Sequence, residues 1–235
     1  MIGESGFCRR EIGMKKINAN TAAGFRFLGL ALCAFAGLGI ELPLAFTIEP
    51  LLYGTDMQNW SALQSMLHSI ITCVCWGAAG LLLIRIANHK CGFNIFEGST
   101  KMEYWQWFMI AVCFVFRLIT SYIDWDGFKI IKEYEYHGLL KFIFQYLYYF
   151  FETILFTLII VFAQKAFEFW FKKSNFPYGG IAVALTWGLG HIFTKGSLLT
   201  GLLSALVGFI FGTVYLMTNR NIKKTIPILF IMFVI

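Results

Sequence analysis

The chain has 235 residues, 58% of them hydrophobic and only 14% charged, with a formal net charge of +6 at pH 7. Soluble domains are about 45–50% apolar and about 25% charged, so this composition excludes an ordinary soluble domain. The basic residues lie in short loops beside apolar runs, which argues against nucleic-acid binding and is typical of a protein oriented in a membrane. No linker or repeat divides the chain, so one helical membrane domain accounts for its length.

Seven apolar segments follow one another along the chain, and each is predicted to be a membrane-spanning helix. A helix needs about 20 apolar residues to cross the hydrocarbon core, and only the seventh segment, with 11 residues, is much shorter. We therefore predict an all-α fold, a polytopic transmembrane bundle of about seven helices. The predicted spans are residues 25–48, 62–86, 104–123, 140–163, 178–194, 198–217 and 225–235.

The charges in the loops orient these spans. With the N-terminus inside, 14 Lys and Arg residues fall on the inside and 4 in outside loops, as the positive-inside rule requires. No small-x-small cleavage site follows the first apolar run, so the first helix is expected to stay uncleaved. The chain then divides into a cytoplasmic tail (1–24), three membrane helices (25–139) and four further membrane helices (140–235). We expect an integral protein of a bacterial cytoplasmic membrane.

Four ionisable side chains lie inside predicted spans, where such groups are costly and usually functional. Counted from the span ends, all four fall in the middle or outer half of the bilayer, so a shared polar cavity is predicted. Each of three side chains also has a purely structural interpretation. Glu41 would face water at the outer interface, Arg117 would snorkel or form a structural pair, and His191 would make a packing hydrogen bond. His68 is interpreted as solvated or interfacial, and residues 124–136 as a solvated outer loop. The four side chains are Glu41, Arg117, Glu152 and His191.

Two segments in the second half of the chain resemble motifs of a known family. Residues 151–157 (FETILFT) resemble the Glu-Glu-x-x-x-Arg motif on a membrane helix of the CAAX-protease and bacteriocin-processing (CPBP) intramembrane proteases. Residues 187–191 (WGLGH) resemble the family's second motif, Phe-x-x-x-His. The segments 204–215 and 219–231 are similar to the helix and the turn that follow in the family. The resemblance covers about 150–235, and the earlier residues are similar only in being membrane spans.

The chain departs from the family pattern at several positions. Glu152 matches the first glutamate, His191 matches the second-motif histidine, and Trp187 stands in place of the phenylalanine. The third motif, His-x-x-x-Asn or Asp, is absent. Where the family has its second glutamate, its arginine and the two polar residues of the third motif, this chain has Thr153, Thr157, Ile231 and Ile235.

The resemblance implies a chemistry for the retained pair. In the family the glutamate is thought to activate a water that attacks the scissile peptide carbonyl, and the histidine to stabilise the oxyanion. Glu152 and His191 are therefore the expected catalytic residues. The residues expected to support them are Thr153, Thr157, Trp187 and Arg117, the last as a replacement for the missing positive charge.

The same resemblance indicates the partners and leaves two alternatives open. The expected partner is a peptide or membrane-protein substrate within the lipid bilayer. Binding of nucleic acid is not expected. No cofactor is implied, and one histidine with one glutamate provides too few ligands for a usual metal site. One alternative is a non-catalytic relative that binds a peptide or partner protein in the same cavity, as in immunity or export. The other alternative, favoured only by the ionisable groups inside the predicted spans and not by the resemblance, is a transporter of a small molecule or ion.

Overall fold

The computed structural model describes residues 4–99 and 101–235, with side chains from residue 19 onward. This part of the chain contains helices and turns, and no β-strand occurs within it. Two π-helical turns, at Leu44–Ile48 and Ala184–Gly188, interrupt the helical segments. The α-helices are α1 (Glu4–Leu38), α2 (Glu41–Pro43), α3 (Glu49–Tyr53), α4 (Ala62–Cys91), α5 (Tyr104–Trp125), α6 (Lys129–Phe171), α7 (Tyr178–Val183), α8 (Leu189–Lys195), α9 (Leu198–Met217) and α10 (Ile222–Val234).

Within the described residues, five helical segments are long and apolar enough to cross a membrane. This is the architecture of an integral membrane protein, and it confirms the all-α membrane fold predicted from composition. The two shortest predicted spans are also helical, but α7 and α8 are separated by a π turn and α10 has only 13 residues. The five segments are Ala19–Tyr53, Ala62–Cys91, Tyr104–Trp125, Lys129–Phe171 and Leu198–Met217.

Helix α6 occupies the centre of the bundle and packs against α1, α4, α7 and α10. Residues 155–164 of α6 are all buried, and the sequence there has no polar face. A helix that is apolar on all sides is stable when other helices surround it. Glycines allow this close packing: a Cβ added to Gly179 would overlap the Ile160 carbonyl, and one added to Gly212 would overlap the Gly180 backbone.

Local sequence signals fix the starts of two helices. Ser61 caps α4 through a reciprocal capping box with Gln64, in which each side chain hydrogen-bonds the backbone N–H of the other residue. Glu103 and Gln106 form the equivalent box at the start of α5. These boxes satisfy backbone N–H groups that have no partner within the helix.

The segment before the fourth long helix is not a solvated loop. Helix α6 contains a break at Gly138, whose φ of 68° is left-handed and requires a residue without a Cβ. The break lets residues 129–137 form a separate short helix of about two and a half turns that folds against the bundle. Lys129 is 5% exposed and Glu133 is 2% exposed. The prediction of a solvated loop over 124–136 is therefore wrong for these two side chains, because the helix after Trp125 turns inward.

Candidate functional site

Glu152 and His191 each form a hydrogen bond with Trp187. The Trp187 indole Nε1 donates a hydrogen bond of 2.7 Å to Glu152 Oε1. His191 Nδ1 lies 2.8 Å from the Trp187 carbonyl oxygen, and the two rings are edge to face with centroids 4.6 Å apart. Glu152 and His191 are half-buried, whereas Trp187 is buried. One tryptophan therefore joins the two residues that the motif resemblance selects.

The π turn at Ala184–Gly188 positions this tryptophan. Its signature is the hydrogen bond from the Leu189 N–H back to the Ala184 carbonyl, five residues earlier. π turns of this kind are rare and occur often at functional sites. Gly188 holds the turn against α9, because a Cβ there would overlap the backbone of Ala205. Packing of Gly188 against α9 thus fixes the backbone around Trp187 without using any polar residue of the site.

Aromatic rings enclose the buried side of Trp187. Phe156, Phe211 and Phe233 place their ring centroids 5.2, 6.2 and 5.5 Å from that of Trp187. These rings come from α6, α9 and α10, so three helices share one aromatic cluster. The cluster keeps water away from the indole and leaves its N–H directed at the carboxyl group of Glu152.

Tyr148 extends the polar site toward the first helical segment. It lies one helical turn before Glu152 on α6, so the two side chains share a face of that helix. The Tyr148 hydroxyl interacts electrostatically with the carboxyl groups of both Glu152 and Glu41. Its ring packs on Trp76 of α4, with centroids 4.6 Å apart. Tyr148 thus lies within electrostatic range of two of the four ionisable side chains selected from the sequence, Glu41 and Glu152.

A carboxylate–imidazole–carboxylate group forms the far end of this polar path. His68 Nδ1 lies 2.5 Å from Glu49 Oε2, and His68 Nε2 lies 3.7 Å from Glu41 Oε1. Glu49 is 1% exposed and His68 is 8% exposed, so the interpretation of His68 as a solvated side chain is wrong. Within the described part of the chain, Glu49 Oε1 is buried and accepts no hydrogen bond. Sequence reasoning did not select Glu49 at all.

The first π turn explains why two glutamates of one segment reach the same histidine. Glu41 and Glu49 are eight residues apart, which is about 2.2 turns of a regular α-helix and would point them in different directions. The π turn at Leu44–Ile48 absorbs one residue, so the spacing is equivalent to about 1.9 turns. Both carboxyl groups therefore lie on the face that packs against α4.

Arg117 does not contact Glu152 in the structure. The Arg117 guanidinium donates through Nη2 to the Phe233 carbonyl oxygen at 3.4 Å. Lys129 Nζ donates to the same oxygen at 3.0 Å and lies over the rings of Tyr149 and Phe233. Cations at the last carbonyls of a helix stabilise its C-terminal end, which is the role of Arg117 here.

Lys129 and Lys195 are the cations with electrostatic influence on Glu152, and Lys129 is the buried one. It interacts at a distance with the carboxyl group of Glu152, although no hydrogen bond joins them. The sequence placed this lysine in an outer loop, and the only signal for its true position is the glycine at 138, where the chain can turn back. A buried positive charge therefore exists near Glu152, but it is not the one expected from the sequence.

The two threonines in the family's motif positions do not join the site. Thr153 Oγ1 donates to the Tyr149 carbonyl at 2.7 Å, and Thr157 Oγ1 donates to the Thr153 carbonyl at 2.6 Å. Both side chains are completely buried within α6. Hydrogen bonds to the preceding turn are a common way for helical threonines to satisfy their hydroxyls, so these two residues have a structural role.

Comparison with known proteins gives no family for this chain. No protein-family model, no curated protein and no solved structure matches it. Among the residues that the structure describes, no group of three or more His, Cys, Asp and Glu side chains is arranged to hold a metal ion. What the site contains is a carboxyl group and an imidazole beside a shared indole. Such a pair can accept a proton from water and donate one to a negatively charged oxygen.

Proposed function

We propose that the chain is an intramembrane endopeptidase of the CPBP type that acts on a peptide or membrane-associated protein. The observation that carries the proposal is the double contact of Trp187, which donates to Glu152 and accepts from His191. This contact brings together two residues that are 39 positions apart and that match the two motifs of the family.

Hydrogen-bond geometry assigns a task to each side chain. The indole occupies Oε1 of Glu152, and no described residue hydrogen-bonds Oε2, which is left to take a proton from the attacking water. A carbonyl oxygen can only accept, so His191 Nδ1 carries a hydrogen. His191 Nε2 can donate to an oxyanion only when the ring is doubly protonated. Catalysis therefore requires an ionised Glu152 and a protonated His191 at the same time.

This requirement gives the proposal a pH signature. Cleavage should follow a bell-shaped dependence on pH, because protonating the carboxylate removes the base and deprotonating the imidazolium removes the oxyanion donor. A rate that rises to a plateau at high pH would contradict the role assigned to His191. The measurement is the initial cleavage rate in nanodiscs between about pH 5 and pH 9.

The deciding experiment compares variants of the purified full chain in nanodiscs, using a library of membrane-anchored and bacteriocin-leader peptides. Products are identified by mass spectrometry. Glu152→Gln and His191→Ala should both abolish cleavage, whereas Glu97→Gln makes the same chemical change at an exposed glutamate and should retain it. Cleavage that is indifferent to the first two changes, or absent from wild type, would overturn the proposal for these substrates.

We also propose that the chain crosses a bacterial cytoplasmic membrane seven times, with its N-terminus inside. The charge asymmetry of the loops supports this arrangement. In a background without the native cysteines, Glu97→Cys should react with an impermeant maleimide only from the inside, and Tyr136→Cys only from the outside. Both positions are exposed in the structure. Labelling of both from one side would contradict the orientation of α5.

A specific observation also favours a second candidate, a non-catalytic relative that binds a peptide or partner protein in the same cavity. Thr153 and Thr157 are satisfied by their own helix, and apolar Ile231 and Ile235 occupy the positions of the third motif. Fewer polar groups then remain to orient water and oxyanion. Retained peptide crosslinking in Glu152→Gln, with no cleavage by wild type, would favour this candidate over the peptidase.

A further inference from the structure

A cavity of about 510 Å³ opens between α1 and α4, away from the Glu152 site. Arg26 and Lys90 stand at its rim and are both exposed. Its inner wall is formed by Leu30, Ile86 and Cys91, which are buried or half-buried. The cavity therefore combines two cationic groups with an apolar wall.

The two cations have no partner among the side chains from residue 19 onward. Neither Arg26 nor Lys90 forms an ion pair or a hydrogen bond with any side chain that the structure describes. An exposed cation without an acidic neighbour remains available to an external anion. Two such groups at one rim make the cavity mouth complementary to a negatively charged ligand.

Helical spacing arranges this charge along the membrane normal. Leu30 follows Arg26 by four residues on α1, and Ile86 precedes Lys90 by four residues on α4, so each pair shares a helix face. The two helices run in opposite directions. Both cations therefore lie toward the same side of the bundle, which is the inner side in the orientation proposed above, and each aliphatic side chain lies about one turn deeper.

We propose that this cavity binds an anionic glycerophospholipid of the inner leaflet. The phosphate diester lies between Arg26 and Lys90, and an acyl chain lies along Leu30 and Ile86. Basic pockets between membrane helices on the cytoplasmic side are suited to anionic headgroups, whereas a free phosphate would leave the apolar wall unused. The inference does not depend on peptidase activity, because none of these residues belongs to the polar site.

The test is native mass spectrometry of the full chain titrated with phosphatidylglycerol or with phosphatidylcholine of the same acyl chains. Wild type should bind phosphatidylglycerol preferentially. Arg26→Gln/Lys90→Gln should weaken that binding about thirty-fold, the combined effect of two interfacial cations. Arg26→Lys/Lys90→Arg keeps the charges and should retain binding, which shows that the neutral variant fails through charge and not through misfolding.

Matched controls make the result decisive. Arg85→Gln/Lys101→Gln removes the same charge from exposed positions outside the cavity and should leave the affinity unchanged. Equal losses in both neutral variants would overturn the proposal in favour of diffuse surface attraction. Displacement of the lipid by inorganic phosphate alone would also overturn it, because the acyl chain would then contribute nothing. Equal binding of the two lipids by wild type is the third contrary result.

Discussion

The hydrogen bond between Trp187 and Glu152 can be measured with a double-mutant cycle. Trp187→Phe removes the indole N–H but keeps an aromatic ring among the neighbouring phenylalanines. Glu152→Met removes the acceptor and keeps the length of the side chain. The two single variants differ from wild type for several reasons, including lost volume and lost charge, and the cycle isolates the pairwise energy.

The expected coupling follows from two limits. Hydrogen bonds between membrane helices average about 0.6 kcal/mol and reach about 1.7 kcal/mol. Hydrogen bonds to charged groups contribute about 1.5–3 kcal/mol in soluble proteins. The separation of 2.7 Å and the burial of the indole place this bond near the upper membrane value. We therefore expect a coupling energy of about 1–2 kcal/mol.

The assay is reversible unfolding in mixed detergent micelles, with the free energy of unfolding measured for all four members of the cycle. Trp170→Phe combined with Glu152→Met is the matched control. The Trp170 indole N–H donates to the Thr21 carbonyl and not to Glu152. That pair should be additive. A coupling energy below about 0.5 kcal/mol for Trp187 and Glu152 would refute the reasoning, since contacting residues should exceed that value.

Two further predictions concern stability, both measured by thermal unfolding in detergent. His68→Ala leaves the buried Glu49 carboxyl group without its partner and should cost about 3–5 kcal/mol, whereas Glu49→Gln keeps a hydrogen-bonding group and should cost about 1.5 kcal/mol. Equal effects would contradict the ion-pair description. Gly212→Ala should destabilise by about 1–3 kcal/mol because its Cβ meets the opposing backbone, whereas Gly190→Ala has open space and should stabilise α8 by up to about 1 kcal/mol. An unchanged stability of Gly212→Ala would show that α7 and α9 separate easily at this contact.

Helix positions were largely predictable from the sequence, because apolar length is a strong signal in membrane proteins. The predicted spans at 62–86, 104–123 and 198–217 lie within or coincide with α4, α5 and α9. The motif resemblance and the residue depths together predicted that Glu152 and His191 would lie close together. The role of Trp187 was not, since its position in the motif indicates ring packing and gives no sign that its N–H would contact the glutamate.

The remaining misses have physical causes. Glu49 and His68 stand close to the ends of predicted spans, where hydropathy cannot separate a solvated side chain from a buried one. A spacing of eight residues also gives no sign of a shared face unless the π turn is known. Lys129 was missed because a charged side chain next to an aspartate-rich turn has the composition of a loop. Lys129 is buried only because the break at Gly138 lets residues 129–137 fold against the bundle.

The π turn between Glu41 and Glu49 has a consequence for chain length. Such a turn is a one-residue insertion that the helix absorbs while its two flanks keep their orientation. Deleting the exposed Phe46 would return the segment to a regular α-helix and still leave both carboxyl groups facing His68. Variants one residue shorter here are therefore structurally equivalent, and alignments that pair these glutamates should allow a gap between them.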